Sequence, residues 1–325
     1  LQPSLGYLAD RRALRRTLIA FGFVATAIAM FAFGQSRSYV AVLAAAICLG
    51  IGASTYHPQS ATILRYFFVQ KNRGLAQGVH GMGNAAGFAI APLVMAYLLR
   101  QTDWNHAATI VAIPALVGAV LALALLREPV TRGGRGLLAG VTRPLVMLTV
   151  VNGLALAASS GFTTWLPSYY VLHNFSLSNA ALLTAAMSAA AFVAQPLGGT
   201  ISDRVGRRNL IVVALTGAAI SLGCFLLAPS IEWAIGLSIV VSLWLSLTPP
   251  VMMVYASELA SGERTGTAVG MVWGLATTIS AVSLPIMGKL IDLAGGQIAP
   301  AYAMIAVAAI IGAIVALRLP QPRSA

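Results

Sequence analysis

Two aspartates carry the spacing that most suggests chemistry. Asp10 ends the segment Gly6-Tyr-Leu-Ala-Asp10-Arg11, and Asp203 ends Gly199-Thr-Ile-Ser-Asp203-Arg204. Arginines crowd after both, at Arg11 and Arg15 and again at Arg204 and Arg207. A carboxylate so placed can pair with a guanidinium and with a helix N-terminus, whose positive dipole end favours an anion. The plainer reading is an arginine cluster that sets membrane topology. Topology alone, however, requires no aspartate at matching places.

The other chemically capable residues sit inside apolar runs. His57 lies two turns before Arg65. An ionisable group at such depth is costly and faces a cavity or a partner. Imidazole titrates near neutrality, so substrate contact or proton handling is one role; a neutral ring bonded to a neighbouring carbonyl, with Pro58 kinking the helix, is the other. Gln77, His80 and Asn84 share a helical face, as do Asn152, Ser159 and Thr163. Such stripes line a central cavity or bond helix to helix. Trp273 and Trp244 lie deep, where either could stack on substrate or simply pack. Trp165, Tyr169 and Tyr170 read as anchors at the membrane interface, with an outer gate as the alternative. Gly83, Gly87 and Ala91, closed by Pro92, form a small-residue stripe of the kind that lets helices approach closely.

The eight acids are Asp10, Asp103, Glu128, Asp203, Glu232, Glu258, Glu263 and Asp292, all at or near the ends of apolar runs or in loops. A mid-membrane proton relay carboxylate is therefore not among them. No phosphate-binding glycine loop, nucleophile–base pair or metal-ligand spacing stands out, so enzyme chemistry, a resident cofactor and a metal are not expected. Cys48 and Cys224 both lie in apolar runs and give no disulfide framework.

The elements that must position these residues are membrane spans. The 325 residues are 58% hydrophobic and 9% charged, with a mean hydropathy of +0.85. This excludes an ordinary soluble domain, a disordered chain and a disulfide-stapled module. Ten runs are long enough to cross a bilayer: 17–34, 39–62, 74–98, 107–126, 145–172, 179–201, 209–228, 234–257, 265–291 and 299–317. The net charge of +12 follows from topology rather than nucleic-acid binding. With alternating sides, only Arg37, Arg100 and Lys289 of the 20 basic residues fall in outside loops. The remainder mark the cytoplasmic side, which also holds both ends of this chain.

An internal repeat organises the spans. Asp10 recurs as Asp203, Pro58 as Pro250, Gly78 as Gly270 and Pro92 as Pro285, at offsets of 192 or 193. Parallel repeats of this kind relate the halves of some transporters by an axis along the membrane normal. The second half has two spans before its aspartate, whereas nine residues precede Asp10. The expectation is a first half lacking about two helices of an inferred twelve.

The segment Gly6 to Arg16 resembles motif A of the major facilitator superfamily, G-x-L-a-D-r-x-G-r-k. The copy Gly199-Thr-Ile-Ser-Asp203-Arg204-Val-Gly206-Arg207-Arg208 is closer. In the first copy Ala13-Leu14 replace a usual glycine. Tyr56-His57-Pro58-Gln59, Gly83-Asn84-Ala85 and the run from Pro250 to Leu259 resemble the fosmidomycin-resistance branch, which exports drugs by proton antiport. Gly83-x-x-x-Gly87-x-x-x-Ala91-Pro92 is similar to the antiporter motif G-x-x-x-G-P, with Ala91 in place of glycine. The resemblance implies that Asp10, Arg11, Arg15, Asp203, Arg204 and Arg207 latch the two halves in one state and release on switching, with the helix starts near Thr265 and near Gly74 as the partners of Asp10 and Asp203. It also places His57 and both polar stripes on helices that border the cavity.

The expected fold is therefore an all-α polytopic membrane protein with two facing bundles. Residues 1–126 form the incomplete first bundle, 127–144 a basic cytoplasmic linker and 145–325 a six-helix second bundle. The expected activity is secondary active transport by alternating access, with proton-coupled export of a small drug-like or anionic compound. Uptake of a small anion is the alternative, and a non-transporting sensor or channel a more distant one. The expected partners are the small-molecule substrate, protons and the bilayer. A monomer in a bacterial inner membrane is favoured.

Overall fold

Apolar runs of this length must satisfy their own backbone in lipid, and helices do so. The computed structural model describes residues 1–129, 140–260 and 262–321, and among them no strand occurs. The helices are α1 (Gln2–Arg12), α2 (Arg15–Gly34), α3 (Tyr39–Ser54), α4 (Tyr56–Phe67), α5 (Arg73–Gln101) and α6 (Trp104–Leu125). After them come α7 (Arg143–Leu172), α8 (Leu177–Val205), α9 (Arg207–Leu226), α10 (Ile231–Ser246), α11 (Thr248–Leu259), α12 (Thr265–Leu293) and α13 (Ala299–Ala316). Ten helical runs among the described residues are long and apolar enough to cross a membrane. They coincide with the ten spans read from sequence. Most of the expected linker, 130–139, lies outside the described residues.

Two spans expected to be continuous are broken. The run Tyr39–Phe67 is interrupted at Thr55, between α3 and α4, and Ile231–Leu259 at Leu247, between α10 and α11. Pro58 and Pro250 explain both breaks. Each proline lacks the N–H that would bond the carbonyl four residues back, and its ring crowds that carbonyl. Those carbonyls belong to Ser54 and Ser246, and the helix yields at the next residue. Near the first break, the Thr55 hydroxyl donates to the Gly52 carbonyl at 2.9 Å.

Packing gathers the chain into two compact units. One comprises Leu1–Phe67, Ile90–Val141 and Ala260–Gly274; the other comprises Phe68–Ala89, Thr142–Leu259 and Leu275–Ala325. In the first unit α2 packs against α3, α4 and α6. Ile19, Ala20, Phe23, Tyr56, Ile63 and Ala122 meet there. Gly52 and Gly22 let α2 and α3 approach closely, since a Cβ on Gly52 would lie 2.8 Å from the Gly22 carbonyl. In the second unit α13 packs against α7 and α9 around Phe162, Tyr169, Tyr170, Phe225 and Tyr302.

That aromatic cluster corrects the interface-anchor reading. Tyr170 is fully buried, and its hydroxyl lies 3.0 Å from Ser238 Oγ. Tyr169 stacks on Phe225 with ring centroids 4.7 Å apart. Trp165 packs against the same core. The residues belong to the inner face of α7, where Phe225 and Tyr302 offer aromatic partners. Trp244 likewise packs, its indole against Gly217, where an added Cβ would lie 2.6 Å away.

Candidate functional site

Each aspartate is held by its own unit. In the first, α1 carries Asp10 to the start of α12. Its carboxylate accepts from the Gly266 N–H at 3.1 Å, the Thr267 N–H at 2.8 Å and the Thr267 hydroxyl at 2.8 Å. Orphan N–H groups and the dipole at a helix start make such a place an anion site. Arg15 Nη2 donates to the same carboxylate at 2.8 Å. Arg15 is fully buried, and its second partner is Glu128 at 3.4 Å. Glu128 also accepts from the Arg15 and Arg16 N–H groups, at 3.1 and 2.8 Å, and so caps α2.

The second unit repeats the arrangement with one change. Asp203, on α8, accepts from the Gly74 and Leu75 N–H groups at 3.0 Å each, at the start of α5. Arg207 lies 2.6 Å from Asp203 and forks onto Glu258 of α11 at 3.0 and 3.3 Å. Its Nη1 also donates to Ser202 Oγ at 2.6 Å. Both helix starts are those named from the sequence. Arg11 and Arg204, expected in the same clusters, are exposed and stand outside them; Arg11 instead donates to the Tyr7 hydroxyl at 3.3 Å. Each follows its aspartate by one residue and is therefore turned about 100° around the helix from it.

Glycine makes these contacts possible. Gly6 crosses Gly266, and Gly199 crosses Gly74, so closely that a Cβ on either would overlap the facing carbonyl. The seams continue along α5 and α12. Gly78 lies against Gln195 and Pro196, and Gly81 against the Gln195 carboxamide. Gly270 and Gly274 lie against Gln2 and Pro3. Gln2-Pro3 and Gln195-Pro196 are themselves separated by the repeat offset of 193. This corrects the expected seam. A Cβ on Gly83 or Gly87 would meet nothing within 4 Å, and Ala91 is exposed. The side chain of Pro92 lies outside the described residues.

The remaining candidates divide between the units. His57 packs against Trp273 in the first, with ring centroids 4.9 Å apart and the ring planes tilted by 41°. In the second, Gln77 is buried and its Nε2 lies 3.1 Å from Met253 Sδ. His80 is half-buried and Asn84 exposed on the same helix. Asn152 is buried on α7, Ser159 is half-buried and Thr163 exposed. The Thr163 hydroxyl donates to the Ser159 carbonyl at 2.9 Å, which directs it to its own helix. Ser160, one residue off the expected stripe, meets Ser280 of α12 at 3.1 Å.

The sequence reading missed Glu128, Glu258 and Arg65. Arg65 donates to the Thr265 hydroxyl at 2.8 Å and to the Ala260 carbonyl at 3.4 Å. Glu258 had a local signal, as the one acid in the run 231–259 other than Glu232. Glu128 had none, since its contact with Arg15 closes 113 residues.

The comparisons give the family and the fold. The Major Facilitator Superfamily profile matches residues 1–271 and 148–325. The fosmidomycin resistance protein of Escherichia coli (strain K12) is 27% identical over 304 residues, covering 90% of this chain and 74% of that protein. The probable nitrate/nitrite transporter NarK2 of Mycobacterium tuberculosis is 26% identical over 279 residues, covering 82% and 70%. Among solved structures, the E. coli fucose:proton symporter FucP superposes with a TM-score of 0.80 at 12% identity, covering 99% of this chain and 88% of that one. With ten membrane-length helical runs among its described residues and a match to the family model along its length, the chain belongs to the major facilitator superfamily.

Proposed function

We propose that this secondary transporter exports a small drug-like or anionic compound in exchange for protons, by alternating access. The observation that carries the reading is the pair of carboxylate latches. Asp10 and Asp203 each hold a helix start through backbone N–H groups and a buried arginine. Such a contact has two discrete states, made and broken, which is what a switching element requires. The arginine-rich ends face the cytoplasm in this reading. The moving bodies are the bundles 1–126 and 145–325, the chain acts as a monomer, and the membrane is a bacterial inner membrane.

Export is supported by the fosmidomycin resistance relative. The residues proposed for substrate or proton contact are His57 and Trp273 in the first unit and, taken separately, Gln77, His80, Asn84, Asn152, Ser159 and Thr163 in the second. The paired imidazole and indole of the first unit suit a flat ligand. Uptake of a small anion is the second reading, favoured by the nitrate/nitrite relative.

The test follows accumulation of labelled compounds, phosphonates and nitrate included, in cells stripped of efflux pumps. Export coupled to protons lowers accumulation, and a protonophore restores it. Accumulation that rises, and that a protonophore abolishes, establishes uptake instead.

A further inference from the structure

The two clusters are not equal, and the inequality lies in Arg65. Glu258 ends α11 and gives Arg207 its second carboxylate. Arg65 stands near the end of α4, one residue off the corresponding place in the repeat, and carries the opposite charge. Arg15 accordingly draws its second carboxylate from Glu128 instead. Arg65 is turned elsewhere. Its Nη1 donates to the fully buried Thr265 at 2.8 Å, and both terminal nitrogens reach the Ala260 carbonyl, at 3.4 and 3.5 Å. The 3-10 turn Gly262–Arg264 leads directly into α12 at Thr265.

A cation beside a helix N-terminus is unfavourable by itself, because both are positive. A half-buried arginine is also costly unless its hydrogen bonds are met. Here the fork meets a hydroxyl and a carbonyl, while Asp10 supplies the anion one residue further along the same helix start. The planar guanidinium holds its donors in a fixed fork, whereas an ammonium is a compact point charge on a flexible stem.

We propose that Arg65 is a positioning residue: it fixes the turn before α12 from the α4 side, so that the Gly266 and Thr267 N–H groups meet Asp10 in register. The first latch is thereby a two-point clasp, and the second, which Glu258 serves from the arginine side, is not. The inference rests on the latch reading above.

The test uses the protein in membrane vesicles with Cys48 and Cys224 replaced by serine. Val269→Cys, at a buried site on the first turns of α12, reports opening through alkylation by a membrane-impermeant maleimide from the arginine-rich side. Arg65→Met is expected to raise the alkylation rate at least tenfold, with Arg65→Lys between it and the native residue. Asp10→Asn with Arg65→Met should exceed Asp10→Asn alone by less than threefold, because both act through one helix start. A rate within twofold of native for Arg65→Met, with Asp10→Asn clearly faster, overturns the inference and leaves the latch standing. Full additivity of the two substitutions also overturns it. No acceleration from Asp10→Asn overturns the latch itself. If Arg65→Met fails to reach the membrane, the lysine variant decides: a native rate there refutes the need for a fork.

Discussion

Replacing Gly199 by alanine puts the latch geometry to a quantitative test. The added Cβ would overlap the Gly74 carbonyl and lie 3.0 Å from the Leu75 nitrogen. Neither is the end of a flexible side chain, so the first turn of α5 has to withdraw by about 1 Å. Asp203 bonds the Gly74 and Leu75 N–H groups at 3.0 Å each. A withdrawal of that size takes both to about 4 Å, past any useful hydrogen bond. Bonds to a charged acceptor contribute about 1.5–3 kcal/mol each, less what the retained Arg207 pair and water return. A net loss of about 3 kcal/mol is the working figure, equivalent to about a hundredfold in the made-to-broken ratio. Gln77→Cys, buried on the same helix, reports it through the rate of maleimide alkylation. Gly83→Ala is the control, because its Cβ meets nothing within 4 Å. The expectation is a large acceleration for Gly199→Ala and a rate within twofold of native for Gly83→Ala. Equal effects from both would refute the seam assignment.

Three further outcomes follow from single residues. Ala13 sits in the left-handed region at φ 50°, where the second motif has Gly206 at φ 91°. Ala13→Gly relieves about 1–2 kcal/mol of strain against about 0.5–1 kcal/mol of added chain entropy, so thermal unfolding in detergent should shift slightly upward. Tyr170→Phe removes the hydroxyl that meets Ser238 in a fully buried setting and should cost about 1 kcal/mol by the same assay; an interface anchor would lose almost nothing. Asp103 caps α6 by accepting from the His106 N–H at 2.8 Å, and that bond holds its carboxyl below the usual range. A depressed folded value means the contribution is present above the unfolded value and fades as pH falls through the folded one. The melting temperature of Asp103→Asn should thus approach that of the native protein below about pH 4, while lying lower at neutrality.

The ten spans were legible because length and apolarity alone decide them. The helix starts that receive Asp10 and Asp203 followed from the family resemblance; the repeat shows only that the two aspartates occupy matching places. The seam was not legible, because small residues at helical spacing do not say which way the helix is turned. Gly74, Gly78 and Gly81 run at i, i+4 and i+7, and Gly83 begins a row two residues later, about 200° around the helix. The breaks at Thr55 and Leu247 were hidden by unbroken hydropathy, although Pro58 and Pro250 mark them once the missing N–H is counted. Arg65 looked like another topogenic charge, and only its contact with Thr265 across the fold distinguishes it.

The central claim is that Asp10 and Asp203 control switching rather than bind substrate. Initial transport rates in proteoliposomes, for a compound identified by the accumulation panel, separate the two roles. The account predicts that Asp10→Asn and Asp203→Asn each lower the maximal rate at least tenfold while KM stays within about twofold. A maximal rate that holds while KM rises tenfold would make the aspartates substrate ligands and contradict the latch.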